Sequence, residues 1–413
     1  MQINLTFSGE ILSKILTISG SKSESNRLLV LQKFYPNLII EILSNAEDTQ
    51  LLQTALASDN STIDVHHAGT AMRFLTAYFA MQEGREVVLT GSERMQQRPI
   101  KILVDALQSL GADIQYLTNE GFPPLKIRGK KITKNSVELS ATVSSQYISA
   151  LMLIAPQLEE GLTIYLKGEI TSLPYLKMTL QLLENIGITT TFSDTRIQIQ
   201  SLESIKNNQT IAVESDWSSA SYFYSLVALS EIGTEISLKT YKENSLQGDK
   251  ILVEIYKNLG VETHFINETI CLKKISKPTL QTFEKNLVEC PDIAQTLAVT
   301  CFGLGINCNL TGLHTLKIKE TDRLQALKTE LEKIGATVST TENSLQIRTT
   351  INRILEDLQI EISTYNDHRM AMAFAPLALK FPIKINNAEV VNKSYPNFWN
   401  DLKTIGFTIE KSY

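Results

Sequence analysis

Apolar residues along this chain keep helix-face spacing, then switch to alternation, and the switch is marked the same way each time. Leu107 and Leu110 lead to Gly111, after which Ala112 and Ile114 alternate with polar neighbours. The pattern returns in Leu183-Glu184-Asn185-Ile186-Gly187-Ile188 and Tyr256-Lys257-Asn258-Leu259-Gly260-Val261. It returns again in Leu331-Glu332-Lys333-Ile334-Gly335-Ala336 and Leu402-Lys403-Thr404-Ile405-Gly406-Phe407. A glycine just past a helix takes a positive φ at least cost, so each copy predicts a helix end followed by a strand. The glycines recur every 71 to 76 residues. A degenerate sixth copy, 51–58, lacks the glycine and is cut short before Ile63. Six units of roughly 70 residues nearly fill the chain.

Within a unit the pattern reads strand, helix, strand, a second helix ending at the glycine, and a closing strand or two. Val87-Val88-Leu89, Leu162-Thr163-Ile164-Tyr165 and Glu235-Ile236-Ser237-Leu238 are the middle strands. A repeat this long, mixing helix and strand, is not a thin helical solenoid. It predicts two α/β domains of three units each. The division falls near Glu214-Ser215-Asp216, giving a first domain 20–215 and a second formed by 1–19 plus 216–413. No Pro/Ser-rich linker separates them, which suits paired crossover strands acting as a hinge.

Charge is placed against the usual helix rule. Lys319-Glu320-Thr321-Asp322-Arg323 and Tyr365-Asn366-Asp367-His368-Arg369-Met370 each put cations where an amphipathic helix begins. The helix dipole favours acids in the first turn, so such cations make sense where an anion docks. Ser21-Lys22-Ser23-Glu24-Ser25-Asn26-Arg27, Ala68-Gly69-Thr70-Ala71-Met72-Arg73 and Arg94-Met95-Gln96-Gln97-Arg98-Pro99 repeat the design. Ser144-Ser145-Gln146 and Ser218-Ser219-Ala220-Ser221 add neutral donors, and Lys393 adds a last cation. A single Ser before an apolar run is an ordinary N-cap. The repetition points to a small, highly charged anionic substrate.

Composition narrows the class. The chain has 413 residues, 43% hydrophobic and 20% charged, as in an ordinary globular protein of two domains. A net charge of −5 argues against nucleic acid as a partner, whereas local cationic clusters suit a small anion in a focusing cleft. Cys271, Cys290, Cys301 and Cys308 form no CxxC pair with a matching His set, so no metal site is expected and the thiols read as reduced. No signal-like start and no long apolar run is present, which predicts a cytoplasmic protein without membrane contact.

The ordered motifs SKSESNR, AGTAMR, RMQQRPI, SSQY, DWSSASYF, IKETDR and YNDHRMAM, from Gly20 to Pro396, resemble the enolpyruvyl transferase family. Within it they are similar to the branch whose acceptor is shikimate 3-phosphate. The resemblance implies two similar domains, each of three βαβαββ units in a pseudo-threefold inside-out α/β barrel, joined by a two-strand hinge and closing on substrate. It implies transfer of the enolpyruvyl group of phosphoenolpyruvate to the acceptor 5-hydroxyl with release of phosphate, in chorismate and aromatic amino acid biosynthesis, by a monomer without cofactor. Shikimate 3-phosphate would meet Lys22, Ser23, Arg27, Gln146, Tyr175, Asp292, Thr315 and Lys319, with Ser144, Ser145 and Ser172 on its phosphate. Phosphoenolpyruvate would meet Lys22, Gly69, Arg94, Gln146, Arg323, His368, Arg369 and Lys393. Asp292 would take the hydroxyl proton, and Glu320, Lys319 and Lys22 would serve the remaining proton transfers. Read without the family, Asp292 is a helix-start acid after Pro291, and Lys319 and Glu320 are equally exposed first-turn charges.

His67 and Phe74 stand where relatives often carry Asn and Pro, and Thr315 stands in place of an Asn. The rival enolpyruvyl transfer to a UDP-N-acetyl amino sugar uses a loop Cys, but no Cys precedes Cys271 here. A non-catalytic anion-binding repeat protein would need the Ser and Arg clusters but not Asp292, Glu320 and Lys319 together.

The resemblance predicts inhibition by glyphosate, a zwitterion bearing a carboxylate and a phosphonate, competitive with phosphoenolpyruvate in steady-state kinetics. Gly69→Ala should weaken glyphosate more than phosphoenolpyruvate, because an added methyl obstructs the longer ligand first. A noncompetitive pattern, or equal loss of both ligands, would sink this account of the pocket.

Overall fold

A computed structural model describes residues 1–11, 13–142, 144–205, 207–349 and 360–412. The chain divides into two compact units, one of Gly20–Val213 and one of Met1–Ser19 with Glu214–Tyr413. Among the described residues each unit holds three sheets, and five of the six follow one plan. A parallel strand pair comes first, and an antiparallel hairpin is added to its second member.

In the Gly20–Val213 unit, Thr62–Asp64 pairs in parallel with Glu86–Thr90, which takes Leu125–Arg128 and then Asp113–Tyr116 antiparallel. Ser136–Ser140, Leu162–Lys167, Arg196–Ile199 and Thr190–Ser193 repeat this order. The third sheet is only the parallel pair Gln209–Ala212 with Leu38–Glu41. It is the copy without a glycine signal: the helix Glu47–Ala57 runs out into extended Ser58, and no hairpin is added.

The second unit has three complete copies. In the last of them, Ile360–Ile362 pairs in parallel with Ile383–Ile385, and the hairpin positions are filled by the two ends of the chain, Gln2–Phe7 and Phe407–Ser412. Alternation explains the register: Ile3 and Leu5 are fully buried while their neighbours are less so.

The predicted glycine stops are present as chemistry. Gly111, Gly187, Gly260, Gly335 and Gly406 all have positive φ, between 83° and 113°. At Gly111 the amide donates to the Gln108 carbonyl and the Ala112 amide reaches back to Leu107, both at 2.9 Å, which satisfies the last helical carbonyls.

Helix calls shift where local chemistry outweighs apolar spacing. Met372, Phe374, Leu377 and Leu379 do not share one α-helix: it ends at Phe374 and continues as a 3-10 turn Ala375–Leu379, because Pro376 cannot continue the α-helical bonding. Ser218 and Ser219 lie inside the helix Trp217–Leu229, whose cap is Asp216 accepting from the Ser219 amide at 2.8 Å. That helix is buried on almost every side. Trp217 meets Tyr241 edge-on at 5.0 Å and donates its indole N–H to Glu214 at 2.7 Å. Among the described residues no helix is long and apolar enough to cross a membrane.

Gly129 marks the tightest approach beneath the helix Gly69–Ala80. A Cβ there would lie 1.9 Å from the Gln82 carbonyl oxygen and 2.8 Å from that of Phe79. Gly129→Ala should therefore cost about 3 kcal/mol, since backbone cannot yield as a side chain does. Gly84, with φ of +79° and open space around it, should cost about 1 kcal/mol as Gly84→Ala, for conformation alone. Denaturant unfolding of the two variants checks the difference; equal losses would refute it.

Candidate active site

In the Gly20–Val213 unit, helix beginnings bring the predicted polar residues together. Ser21 caps the helix Lys22–Phe34, and Lys22 Nζ lies 3.1 Å from Asp48 Oδ2. Arg27 is fully buried one turn further on. It donates from Nε to Thr179 Oγ1 at 2.7 Å, from Nη2 to Ser149 Oγ at 3.0 Å, and from Nη1 to the Ser23 carbonyl at 2.8 Å. Its guanidinium lies between the rings of Phe74 and Tyr175, at 5.5 and 5.7 Å. Burial pushes it down to about 10 despite the raising influence of Tyr175 and Glu24. Phe74 is thus more than filling: its π face partners a buried cation.

Ser144 caps the helix Ser145–Ile154, and the Gln146 amide side chain donates to Thr70 Oγ1 at 3.1 Å, beside Gly69. Ser172 caps the helix Leu173–Asn185 from a left-handed φ of 57°, rare for a residue with a side chain.

Gly69 opens the helix Gly69–Ala80 without a side-chain cap. The group that faces it is Arg98, which sequence reasoning left unassigned. A Cβ on Gly69 would stand 2.6 Å from Arg98 Nη1 and 2.9 Å from Nη2. Arg98 is buried and its Nε has no hydrogen-bond partner. Arg94, the arginine assigned from the sequence, is exposed and reaches Gln97 Oε1 at 3.5 Å. The signal was the short turn Met95–Gln97, which sends residues four apart in different directions before Pro99. An alanine at 69 would accordingly meet Arg98 before any ligand, and a flexible guanidinium can move aside. Arg73, also buried, is structural: it donates to the carbonyls of Gly69 at 3.1 Å and Pro99 at 2.9 Å.

In the other unit the charged residues form a single network. Arg323, the first residue of the helix Arg323–Lys333, is buried and donates to Asp367 Oδ2 at 2.7 Å, Glu320 Oε2 at 2.8 Å and Asp292 Oδ1 at 3.1 Å. Asp292 also meets Arg369 Nη2 at 3.0 Å and Lys319 Nζ at 3.7 Å. Burial alone would raise the Asp292 carboxyl, but Arg369, Lys319 and Arg323 outweigh it and hold the group far below the usual carboxylate range. Burial likewise opposes the Arg323 cation, and Asp367, Glu320 and Asp292 outweigh it. Asp292 sits in the turn Pro291–Ile293 that leads into the helix Ala294–Leu304, so its helix-start position and its ion pairs coexist.

Asp367 caps the helix His368–Phe374 by accepting from the Arg369 amide at 2.9 Å. It therefore fixes Arg323 and Arg369 together. His368 is buried with Nδ1 3.9 Å from Asp367. Lys393 Nζ donates to the Asn366 carbonyl at 2.7 Å, and Thr315 is buried in the turn His314–Ile318. Glu330, fully buried, accepts from Tyr365 Oη at 2.5 Å and the Ser363 amide at 3.1 Å, holding the segment that presents these groups. Asp249 is buried nearby in charge terms: burial first, and Asp292 second, push it up to about 7. Among the described residues no group of three or more His, Cys, Asp or Glu is placed to hold a metal ion.

Residues 37–402 match the family model of EPSP synthase (3-phosphoshikimate 1-carboxyvinyltransferase). The chain is 44% identical over 398 residues to the 3-phosphoshikimate 1-carboxyvinyltransferase of Bacteroides fragilis, covering 96% of both. It is 38% identical over 341 residues to the enzyme of the same name from Colwellia psychrerythraea, covering 82% of this chain and 78% of the relative. The solved EPSP synthase of Acinetobacter baumannii superposes with a TM-score of 0.77 at 21% identity, covering 99% of this chain and 100% of the other, which speaks to the fold.

Asp367 is the side chain whose removal should disturb this network most, since Arg323 would keep its burial and lose its shortest partner. Asp367→Ala should destabilise the protein by about 3 kcal/mol. Asp367→Asn, which can still cap the helix, should lose less. Chemical denaturation of the two variants gives the comparison; an unchanged midpoint for Asp367→Ala would contradict it.

Proposed function

The chain belongs to the EPSP synthase family, and from that premise we propose how its own residues carry out the transfer. The protein is a transferase that moves the enolpyruvyl group of phosphoenolpyruvate onto the 5-hydroxyl of shikimate 3-phosphate, in aromatic amino acid biosynthesis. The observation that carries the residue assignment is the charge network around Asp292, in which Lys319, Arg323 and Arg369 surround one carboxylate.

On this reading Ser144, Ser145 and Ser172 bind the acceptor phosphate, with Lys22, Ser23, Arg27, Gln146, Tyr175, Thr315 and Lys319 holding the rest of the acceptor. Arg98 joins Lys22, Gly69, Gln146, Arg323, His368, Arg369 and Lys393 on phosphoenolpyruvate, and Arg94 is the weaker candidate because it is exposed. Arginine suits bidentate carboxylate and phosphate, whereas lysine is a compact charge able to pass a proton.

Asp292 is ionised and held by three cations, which makes it a poor base as long as those pairs last. Substrate anions that draw Arg323, Arg369 and Lys319 away leave it more basic when the hydroxyl proton must be taken. The acceptor oxygen then bonds to C2 of phosphoenolpyruvate while a proton from Lys319 or Glu320 reaches the methylene carbon. In the resulting tetrahedral intermediate the C2–O bond to the phosphate group breaks, phosphate leaves with the electron pair, and a methyl proton passes to a base, which regenerates the C=C bond and gives the enol ether of the acceptor. A single copy carries every assigned residue, so we place the activity in a monomer, and four free thiols suit the cytoplasm. Size-exclusion chromatography with light scattering tests the first point.

Phosphate release measured with both substrates tests the reading as a whole, since an anion-binding repeat protein would release none. Asp292→Asn should keep shikimate 3-phosphate binding by calorimetry within a few-fold and lower turnover by about 100-fold or more. Near-normal turnover in that variant would return Asp292 to a structural acid.

A further inference from the structure

His67, two residues before Gly69, belongs to a short relay that ends on Lys22. Its Nε2 lies 3.2 Å from Asp48 Oδ1 and 3.6 Å from Glu47 Oε2. The other oxygen of Asp48, Oδ2, lies 3.1 Å from Lys22 Nζ. Asp48 is buried, in the first turn of the helix Glu47–Ala57, so it is a fixed pivot rather than a solvated charge. The His67 side chain is 21% exposed, yet its Nε2 is buried and makes no hydrogen bond of good geometry. A contact at ion-pair distance without hydrogen-bond geometry gains most when the ring is charged.

We propose that His67 is a positioning residue for phosphoenolpyruvate capture, setting how firmly Asp48 holds Lys22 and thereby making capture depend on pH. The proposal rests on the reading that Lys22 meets phosphoenolpyruvate. With a neutral imidazole, the ion pair between Asp48 and Lys22 is undivided by the ring, and the lysine must be pulled from it to serve the substrate. With an imidazolium, the same carboxylate is shared between two cations. Lys22 is then held less, and the cluster gains one positive charge facing an anionic ligand.

Imidazole as a side-chain class changes charge between pH 5 and 8. Glu47 and Asp48, from one helix, are the carboxylates that approach the ring. Lys22 from another helix meets the far oxygen of Asp48, and Arg98 lies over Gly69, two residues on. His66 is turned to Asp64 at 3.6 Å and is exposed. An Asn at position 67 would keep a polar contact with Asp48 but could not titrate.

The test compares kcat/KM for phosphoenolpyruvate in wild type and His67→Asn from pH 5.5 to 8.5. Their ratio cancels the titration of the substrate and of every shared group. It should rise as pH falls, by on the order of fivefold, the effect of one charge acting through partly screened protein, and the change should lie in KM rather than kcat. Wild-type NMR titration of the His67 ring, assigned by its loss in the variant, gives a readout free of substrate. Asp48→Asn should lower that titration midpoint. A flat ratio, or a midpoint indifferent to Asp48→Asn, overturns the proposal. Absence of turnover in wild type would instead overturn the underlying reading, and the NMR titration still decides the relay. Should His67→Asn fail to fold, His67→Gln serves in both arms.

Discussion

The cations gathered at these helix starts must be kept charged in buried or half-buried surroundings, and that requirement organises both units. Lys22 is held by Asp48; Arg323, Arg369 and Lys319 are held by Asp292, with Asp367 and Glu320 completing the set. Internal carboxylates thus supply the counter-charge at these helix starts. Buried like charges without such partners would carry a large desolvation penalty. The depressed Asp292 carboxyl expresses this balance: its ion pairs stabilise the ionised form and weaken it as a base.

Arg27 obeys the same requirement by different means. Its neighbours are hydroxyls, carbonyls and two aromatic faces rather than a bound carboxylate, so burial lowers it, though an arginine lowered to about 10 remains charged at neutral pH. Glu24 supplies the nearby negative charge that partly offsets this burial. The two departures from the usual motif, His67 and Phe74, each lie against one of the cations of the helix Lys22–Phe34, through Asp48 in the first case and directly in the second. Their positions link a sequence irregularity to a definite mechanical role.

The repeat supplies the frame for this chemistry. One plan of parallel pair plus hairpin recurs in all the sheets but one, and the helices between strands begin where the polar residues gather. The incomplete copy, Gln209–Ala212 with Leu38–Glu41, leaves the chain free to run from Ala57 to Thr62 in four residues of extended or bent backbone. Completion of the last copy by Gln2–Phe7 explains why the N-terminal strand belongs with a unit built mainly from the second half.

The amino-acid sequence by itself determined the local grammar. The glycine stops, the alternating strands after them, the helix starts at the motifs holding Ser21, Ser144, Asp322 and Asp367, and the ordered motifs were all readable, because each depends on neighbours a few residues away. Tertiary structure alone decided which charges meet. That Arg98 and not Arg94 faces Gly69 follows from a single short turn, and four residues of sequence do not reveal its direction. That Asp367 reaches back 44 positions to Arg323, and that Asp48 couples His67 to Lys22, depend on how helices from separate repeats are packed. Periodicity specifies a face of a helix; the partner of a buried charge is specified only when another element brings it within about 3 Å.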